Sequence, residues 1–306
     1  MPDFALGLAA LGRPAYINLG RDGALPADRD VDAMRAACHA VLDAAYAAGV
    51  RRVDAARSYG RAEEFLAQWL DDRGHRDVRV SSKWGYEYVA GWRRDVATHE
   101  VKEHSLERFT RQWAETEALL GAHLGLYKVH SLTGDSPLFG NPELLGALGR
   151  LRDSGVRLGF STSGPRQADT VRRALDLEVE GRRLFEAVQS TWNVLEPSVG
   201  PALAWAHESG AEVFVKEGMA NGRLAVDPPA AVRELAAKHD VGPDAIALAA
   251  VRAQPWVDVV LSGAASVDQL RSNLRAGEVD LDPGDLAELA EPAPEYWATR
   301  AALPWG

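Results

Sequence analysis

Only one cysteine, Cys38, occurs in the 306 residues of the chain. It cannot form an internal disulfide, and it falls in the apolar-periodic stretch 31–49, where a buried small hydrophobe is expected. Nothing in the chain therefore calls for an oxidising compartment. Long hydrophobic runs are missing too. The run at the start spans only Phe4–Leu11, with Asp3 ahead of it and no basic stretch, and no run approaches the roughly 18 apolar residues of a membrane helix. A soluble, cytoplasmic protein with no membrane partner is expected. Positive charge is also scarce: Lys and Arg total 34 against 44 Asp and Glu, a net charge of −10. That argues against a nucleic-acid partner, whose affinity needs a broad basic face. A small basic pocket for one phosphorylated cofactor stays allowed. The 25% charged and 46% apolar shares exclude disorder and collagen. The eight histidines show no ligand spacing and no His-x-His ends the first strand, so no metal is expected.

Short β-rich runs alternate with longer helical patterns. The strand candidates are Phe4–Leu11, Arg52–Asp54, Val78–Ser82, Leu124–Val129, Val156–Phe160, Phe185–Val188, Glu212–Val215 and Val257–Leu261. Between them lie the helical patterns Asp32–Ala48, Ala62–Asp72, Leu106–Leu120, Pro142–Asp153, Gln167–Leu175, Pro201–Glu208, Ala230–His239, Ala245–Ala253 and Val267–Leu274. Eightfold alternation predicts a parallel sheet. No linker, charge block or repeat divides the chain. One domain over 1–306 is expected, with a short C-terminal tail, about 283–306, near the mouth of the sheet.

An open doubly wound sheet and a closed (β/α)8 barrel both fit the alternation, and the strand ends separate them. Asp54, Lys83, His130, Ser161, Gln189, Lys216 and Ser262 each stand at the C-terminal end of an apolar run. Seven polar ends facing one mouth are the arrangement of a barrel enzyme. An open sheet concentrates its site at one switch point, usually with a glycine-rich first turn, and no G-x-G-x-x-G follows the first strand. The (β/α)8 barrel is the expected fold.

Four of these groups suggest chemistry. Asp54 ends the second strand and Tyr59 follows five residues later, Lys83 ends the third strand and His130 the fourth. Adjacent strands lie about 4.8 Å apart, so the four can converge. A phenol near pKa 10 is a poor proton donor at neutral pH. A neighbouring ammonium lowers it, and Asp54 keeps that ammonium charged. Taken singly, Asp54 could cap a turn, Lys83 could be a surface cation, Tyr59 a packing residue and His130 a core histidine. Together they form a proton donor for a developing alkoxide, with His130 positioning the carbonyl oxygen.

The motif D-x-A-x-x-Y-G at 54–60, with Lys83 and His130 at strand ends, resembles the aldo-keto reductases. Gly159-Phe-Ser161-Thr162, Val188-Gln189-Ser-Thr-Trp192-Asn193 and the run from Ser262 to Leu274 carry the resemblance to the end of the chain. It implies a (β/α)8 enzyme that reduces aldehydes or ketones, some sugar-like, with NADPH. Tyr59 would be the acid, supported by Asp54, Lys83 and His130. Ser161, Thr162 and Gln189 would meet the carboxamide. Lys216, Gly218, Gly222, Arg223 and Ser262 would line the cofactor, Gln269 would border the adenosine phosphate and Asn273 would meet adenine.

The chain departs from that pattern in four places. Thr162 stands where the family has Asn. Lys216 replaces the aromatic that stacks on the nicotinamide, so an ammonium would repel the oxidised ring unless Glu217 neutralises it. Gly263–Gln269 has no Lys or Arg for a 2′-phosphate, so a weak preference for NADPH over NADH is expected, with Arg271 or Arg223 supplying the charge. Phe4–Leu11 already resembles the first barrel strand, leaving the family's N-terminal floor hairpin without a counterpart. Among the nine tryptophans, Trp84 and Trp92 follow Lys83 with Tyr86 between them, and Trp297 lies in the tail. These four, with Arg166 as an anion holder, are the expected substrate wall. Two alternatives remain: a Schiff-base lyase or aldolase using Lys83 or Lys216, and a nucleotide-binding regulatory subunit with little turnover.

Overall fold

A computed structural model describes residues 2–305. Eight parallel strands close into a barrel: β1 (Asp3–Gly7), β2 (Arg52–Asp54), β3 (Arg79–Trp84), β4 (Leu124–Leu132), β5 (Arg157–Thr162), β6 (Ala187–Thr191), β7 (Glu212–Lys216) and β8 (Val259–Ser262). Each strand pairs with its sequence neighbour, and β8 closes on β1 through Phe4↔Val260 and Ala5↔Leu261. All eight strand candidates supply a barrel strand. At β3 to β8 the ladder runs past the apolar run and takes in the polar ends, so Lys83, His130, Ser161, Gln189, Lys216 and Ser262 sit within strands.

The helices fall close to the hydrophobic periodicity, with Leu106–Leu120, Pro142–Asp153 and Gln167–Leu175 at the expected bounds. The helix expected at Ala245 begins at Pro243, because proline suits the first helical position, where its missing N–H leaves no bond unmade. Besides short helical turns, the elements outside the sequence expectation include two hairpins and a helix. A hairpin pairs Tyr86–Tyr88 with Glu100–Lys102, a smaller one pairs Glu178–Val179 with Arg182–Arg183, and the tail carries a helix, Ala293–Ala301.

Alternation along the strands layers the barrel interior. At the end where the strands begin, Arg52 bridges Asp3 (3.0 Å) and Glu212 (2.8 Å), and Arg157 reaches Glu212 at 3.1 Å. The middle layer is apolar: Ala5, Leu126, Ala187, Phe214, Val259 and Leu261. Above it, at the C-terminal ends, the polar layer begins with Asp54, Lys83 and Lys128.

Candidate active site

Period-two alternation in β4 sends Leu126, Lys128 and His130 to one side. Pairing brings Lys128 opposite Lys83 on β3, while Asp54 pairs with Ser81. Asp54 therefore meets two lysines. Lys83 Nζ donates to Asp54 Oδ2, to Ala55 O (2.9 Å) and to Tyr59 Oη (3.2 Å). Lys128 Nζ donates to Asp54 Oδ1 (2.5 Å) and Ser81 Oγ (3.1 Å), and Ser81 Oγ donates to Asp54 Oδ1 at 2.6 Å. Burial alone would raise the Asp54 carboxyl, but Lys128 and Lys83 overcome it and hold it well below the usual carboxylate range.

Tyr59 is placed by a close crossing of two loops. A Cβ on Gly12 would stand 2.2 Å from Tyr59 O, and Gly60 takes φ +62° with its own Cβ direction 2.4 Å from Gly12 O. Arg61 N–H donates to Gly12 O at 2.7 Å, locking the crossing. Because Lys83 donates to the phenol oxygen, the phenol proton is free to point into the mouth. The expected lowering of the phenol pKa by the ammonium needs correction. Burial pushes Tyr59 well above 10, the Asp54 carboxylate adds to this, and Arg13 opposes it. The phenol thus stays protonated across the neutral range, the state a proton donor needs.

His130 lies beside Tyr59 with ring centroids 5.5 Å apart and planes at 83°, and Tyr86 covers its other side at 5.0 Å. A bulge follows it: the β4–β5 register shifts between Val129 and Leu132, with Ser131 at φ +47°. The bulge is held by Ser131 N–H donating to Ser161 Oγ (2.8 Å) and by His104 Nε2 on His130 O (2.9 Å). Burial, then the Lys83 and Lys216 charges, press the imidazole well below its ordinary value, so it is neutral. Its Nδ1 meets Ser58 Oγ at 3.3 Å.

The remaining expected residues divide. Gln189 lines the same pocket as Asp54, Tyr59, Lys216, Gly218 and Ser262, and its amide nitrogen is buried without a partner. Thr162 lies outside that pocket's lining, its hydroxyl between Ser190 Oγ (2.7 Å) and Gln167 Oε1 (3.2 Å). Lys216 is paired: its Nζ meets Thr191 Oγ1 at 2.8 Å and Glu217 at 3.6 Å. Glu217, at φ +57°, is gripped by Arg300 through bonds of 2.5 and 2.9 Å. Neutralisation by Glu217 is thus the arrangement present. A second pocket shares Asn18, Met219 and Gly263 with the first and continues to Gly222, Gln269 and Asn273. Gly222, at φ +93°, lies so near the neighbouring loop that a Cβ would stand 2.6 Å from Leu19 O. Gln269 Oε1 accepts from Ala265 N (2.9 Å), and Asn273 is bound to Ser262 Oγ at 2.8 Å.

Two members of the expected substrate wall face elsewhere. Trp84 alternates away from Lys83 into the helical layer, its ring 5.0 Å from Phe109 and 1% exposed. Trp92 donates from its indole N–H to Arg29 O and packs on Phe65. Arg166 is exposed at the start of Gln167–Leu175. Trp297 is buried beside Tyr296, with Arg300 over its ring at 5.3 Å. Two groups that sequence reasoning passed over, Arg13 and Tyr16, crowd the mouth instead, together with Trp305 of the tail. Arg13 donates to Ser58 O (3.0 Å) and Glu100 (2.6 Å) and lies 5.3 Å from the Tyr59 ring centroid. Its guanidinium also faces Tyr16 and Trp305, and Trp305 stacks on His99 at 4.2 Å.

The chain matches the model of the aldo/keto reductase family over residues 29–293. It belongs to that family. It is 25% identical over 308 residues to Protein tas of Escherichia coli (strain K12), covering 82% of this chain and 87% of that protein. To aldo-keto reductase str7 of Strobilurus tenacellus it is 24% identical, covering 83% and 80%. The fold superposes on the holo form of aldo-keto reductase AKR11C1 of Bacillus halodurans with a TM-score of 0.68, at 20% identity and coverage of 95% and 93%. Membership makes this aldo/keto reductase an oxidoreductase of small carbonyl compounds that works with a nicotinamide cofactor. Among the described residues no helix is long and apolar enough to cross a membrane, and no group of three His, Cys, Asp or Glu could hold a metal ion.

Proposed function

We propose that this aldo/keto reductase reduces an aldehyde or ketone to an alcohol, with Tyr59 as the proton donor. The observation that carries the reading is the Lys83–Tyr59 contact of 3.2 Å in a pocket that Gln189 also lines. The groove suits a dinucleotide. Its inner end offers the unpartnered Gln189 amide to a carboxamide, and Gly7, Gly218 and Gly263 keep its wall low. When bound, the reduced nicotinamide would supply the hydride. The protein's own part is to hold the carbonyl oxygen between neutral His130 and the Tyr59 hydroxyl and to deliver the phenol proton to it. Lys83, kept as an ammonium by Asp54, then stabilises the phenolate. That pairing also suits Lys83 poorly to Schiff-base chemistry, which needs a free amine.

The expectation of NADPH over NADH changes with the geometry. Arg223 is committed to Glu291, and Arg271 is exposed with Asp268 at 3.6 Å. The groove beside Gln269 and Asn273 is lined by Asp244 and Asp268, two carboxylates that oppose a 2′-phosphate. Our reading is therefore that NADH binds at least as tightly as NADPH. Direct titration of both, followed by a carbonyl panel with Tyr59→Phe, tests the whole. General acid catalysis contributes roughly 10²–10⁴-fold, so the variant should lose about that much kcat while still binding cofactor. Near-normal turnover in Tyr59→Phe would remove Tyr59 from the mechanism, and clearly tighter NADPH binding would overturn the cofactor reading.

A further inference from the structure

One lysine suffices to orient Tyr59, yet Asp54 carries two. Lys128 is wholly buried, opposite Lys83 in the β3–β4 register, with its ammonium 4.8 Å from the Phe214 ring centroid. Asp54 does not need it as a partner, since Lys83 and Ser81 already satisfy both carboxylate oxygens. Burying an ammonium costs several kcal/mol before pairing, and a leucine or methionine would fill the same space without that cost. Packing alone does not explain a lysine at this position.

The charge balance does. With Lys83 alone, the buried pair would be neutral overall, and the Asp54 carboxylate would add to burial in raising the phenol. With Lys128 the cluster carries a net positive charge where water screens little, because Asp54, Lys83 and Lys128 are all at most 3% exposed. We propose that Lys128 is a positioning residue that sets the net charge of the Asp54–Lys83–Tyr59 network, and so the pH above which that network no longer stabilises the phenolate left when Tyr59 gives up its proton. This rests on the reading of Tyr59 given above.

The groups acting on Lys128 are Asp54 from β2, Ser81 and Lys83 from β3, and Phe214 and Glu212 from β7. Those acting on Tyr59 are Asp54, Lys83, His130, Arg13 and the more distant Glu100 and Glu217. Lys128 bonds Asp54 and Ser81 and makes no contact with Tyr59, so its charge can be removed without removing a contact of the phenol. Burial, opposed by Asp54 and reinforced by Lys83, brings its ammonium down to about 8, within reach of an enzyme assay.

The chain has five lysines, Lys83, Lys102, Lys128, Lys216 and Lys238, so nitrogen-15 labelling of lysine side chains gives a spectrum simple enough to assign. The first measurement follows the lysine Nζ signals of the protein, with no cofactor added, as pH rises. Lys83 and Lys128 should titrate as a coupled pair, and in Lys128→Met the Lys83 midpoint should rise by about one pH unit. The second measurement is the pH profile of kcat/KM for carbonyl reduction. Its alkaline limb should move up by about one unit in Lys128→Met and return towards the wild-type position in Lys128→Arg, which restores the charge. A Lys83 midpoint and an alkaline limb that stay in place in Lys128→Met overturn the proposal. If that variant does not fold, two independent, uncoupled lysine curves in the wild type overturn it equally. Absence of carbonyl turnover in the wild type would count against the functional reading, and the lysine titration would still decide the role of Lys128.

Discussion

Replacing Asp54 with asparagine removes one carboxylate and strands two ammonium groups side by side. Both are buried in the wild type, and after the change they keep only neutral acceptors: Ser81 Oγ, Ala55 O and Tyr59 Oη. One lysine must then give up its proton. Holding a lysine neutral at pH 7 against an unfolded value of about 10.4 costs at most roughly 5 kcal/mol, at about 1.4 kcal/mol per unit. Removing one partner of a buried pair typically costs about 3–5 kcal/mol. The two routes agree, so Asp54→Asn should lose about 3–5 kcal/mol at pH 7. The pH dependence follows from the sign of the shift. A lysine whose folded value is depressed destabilises the fold below its unfolded value, and the penalty fades as pH rises towards it. At pH 9.5 the same arithmetic leaves about 1 kcal/mol. Equilibrium urea unfolding at both pH values measures this for wild type, Asp54→Asn and the double variant Asp54→Asn/Lys128→Met. The double variant has one stranded ammonium fewer and should recover much of the loss at pH 7. A loss of the same size at both pH values, or one below about 1 kcal/mol, would refute the charge argument.

Three further outcomes are expected. Gly12→Ala places a methyl 2.2 Å from Tyr59 O, so it should lower Tm and cut turnover at least tenfold although position 12 touches no reacting group; unchanged kcat would show that the crossing does not place Tyr59. Asp268→Arg exchanges an exposed groove carboxylate for a cation, and should tighten NADPH relative to NADH by about tenfold, the effect of roughly 1.4 kcal/mol; an unchanged ratio of dissociation constants counts against the adenosine placement. Arg300→Ala frees Glu217 from the tail helix, so hydrogen exchange across Ala293–Ala301 should quicken by tenfold or more while the barrel strands keep their protection.

Much of this was legible in the primary structure because barrel strands are short, apolar and end on polar groups. Asp54, Tyr59, Lys83 and His130 converge as their spacing implied, since each lies at a strand end or one loop away and strand pairing does the rest. Lys128 was equally open to the same reasoning: Leu126, Lys128 and His130 alternate, so the lysine shares its face with His130. The signal was there, but a polar residue in mid-strand looks like an exception to an apolar run unless the alternation is counted. Trp84 failed for the complementary reason. It follows Lys83 directly, and one step along a strand reverses the face, sending the indole to Phe109 rather than to the mouth.

What sequence reasoning could not supply was the set of contacts made between segments far apart in the chain. Arg13 and Glu100 meet across 87 positions, and Arg300 and Glu217 across 83. No local periodicity encodes either pair. Both consist of residues that are ordinary surface charges by composition, and Arg13 becomes buried and the other three half-buried because loops and the tail helix fold over the barrel mouth. The same geometry decides between the two readings of Lys216. Its ammonium would repel an oxidised nicotinamide unless Glu217 neutralises it, and Glu217, in the left-handed region at φ +57°, turns its carboxylate to lie between Lys216 and Arg300. The backbone strain there is held by two cations and Thr191. Strand-end chemistry in this aldo/keto reductase therefore follows from register, whereas the charge that the cofactor groove presents depends on which distant arginine reaches back to it.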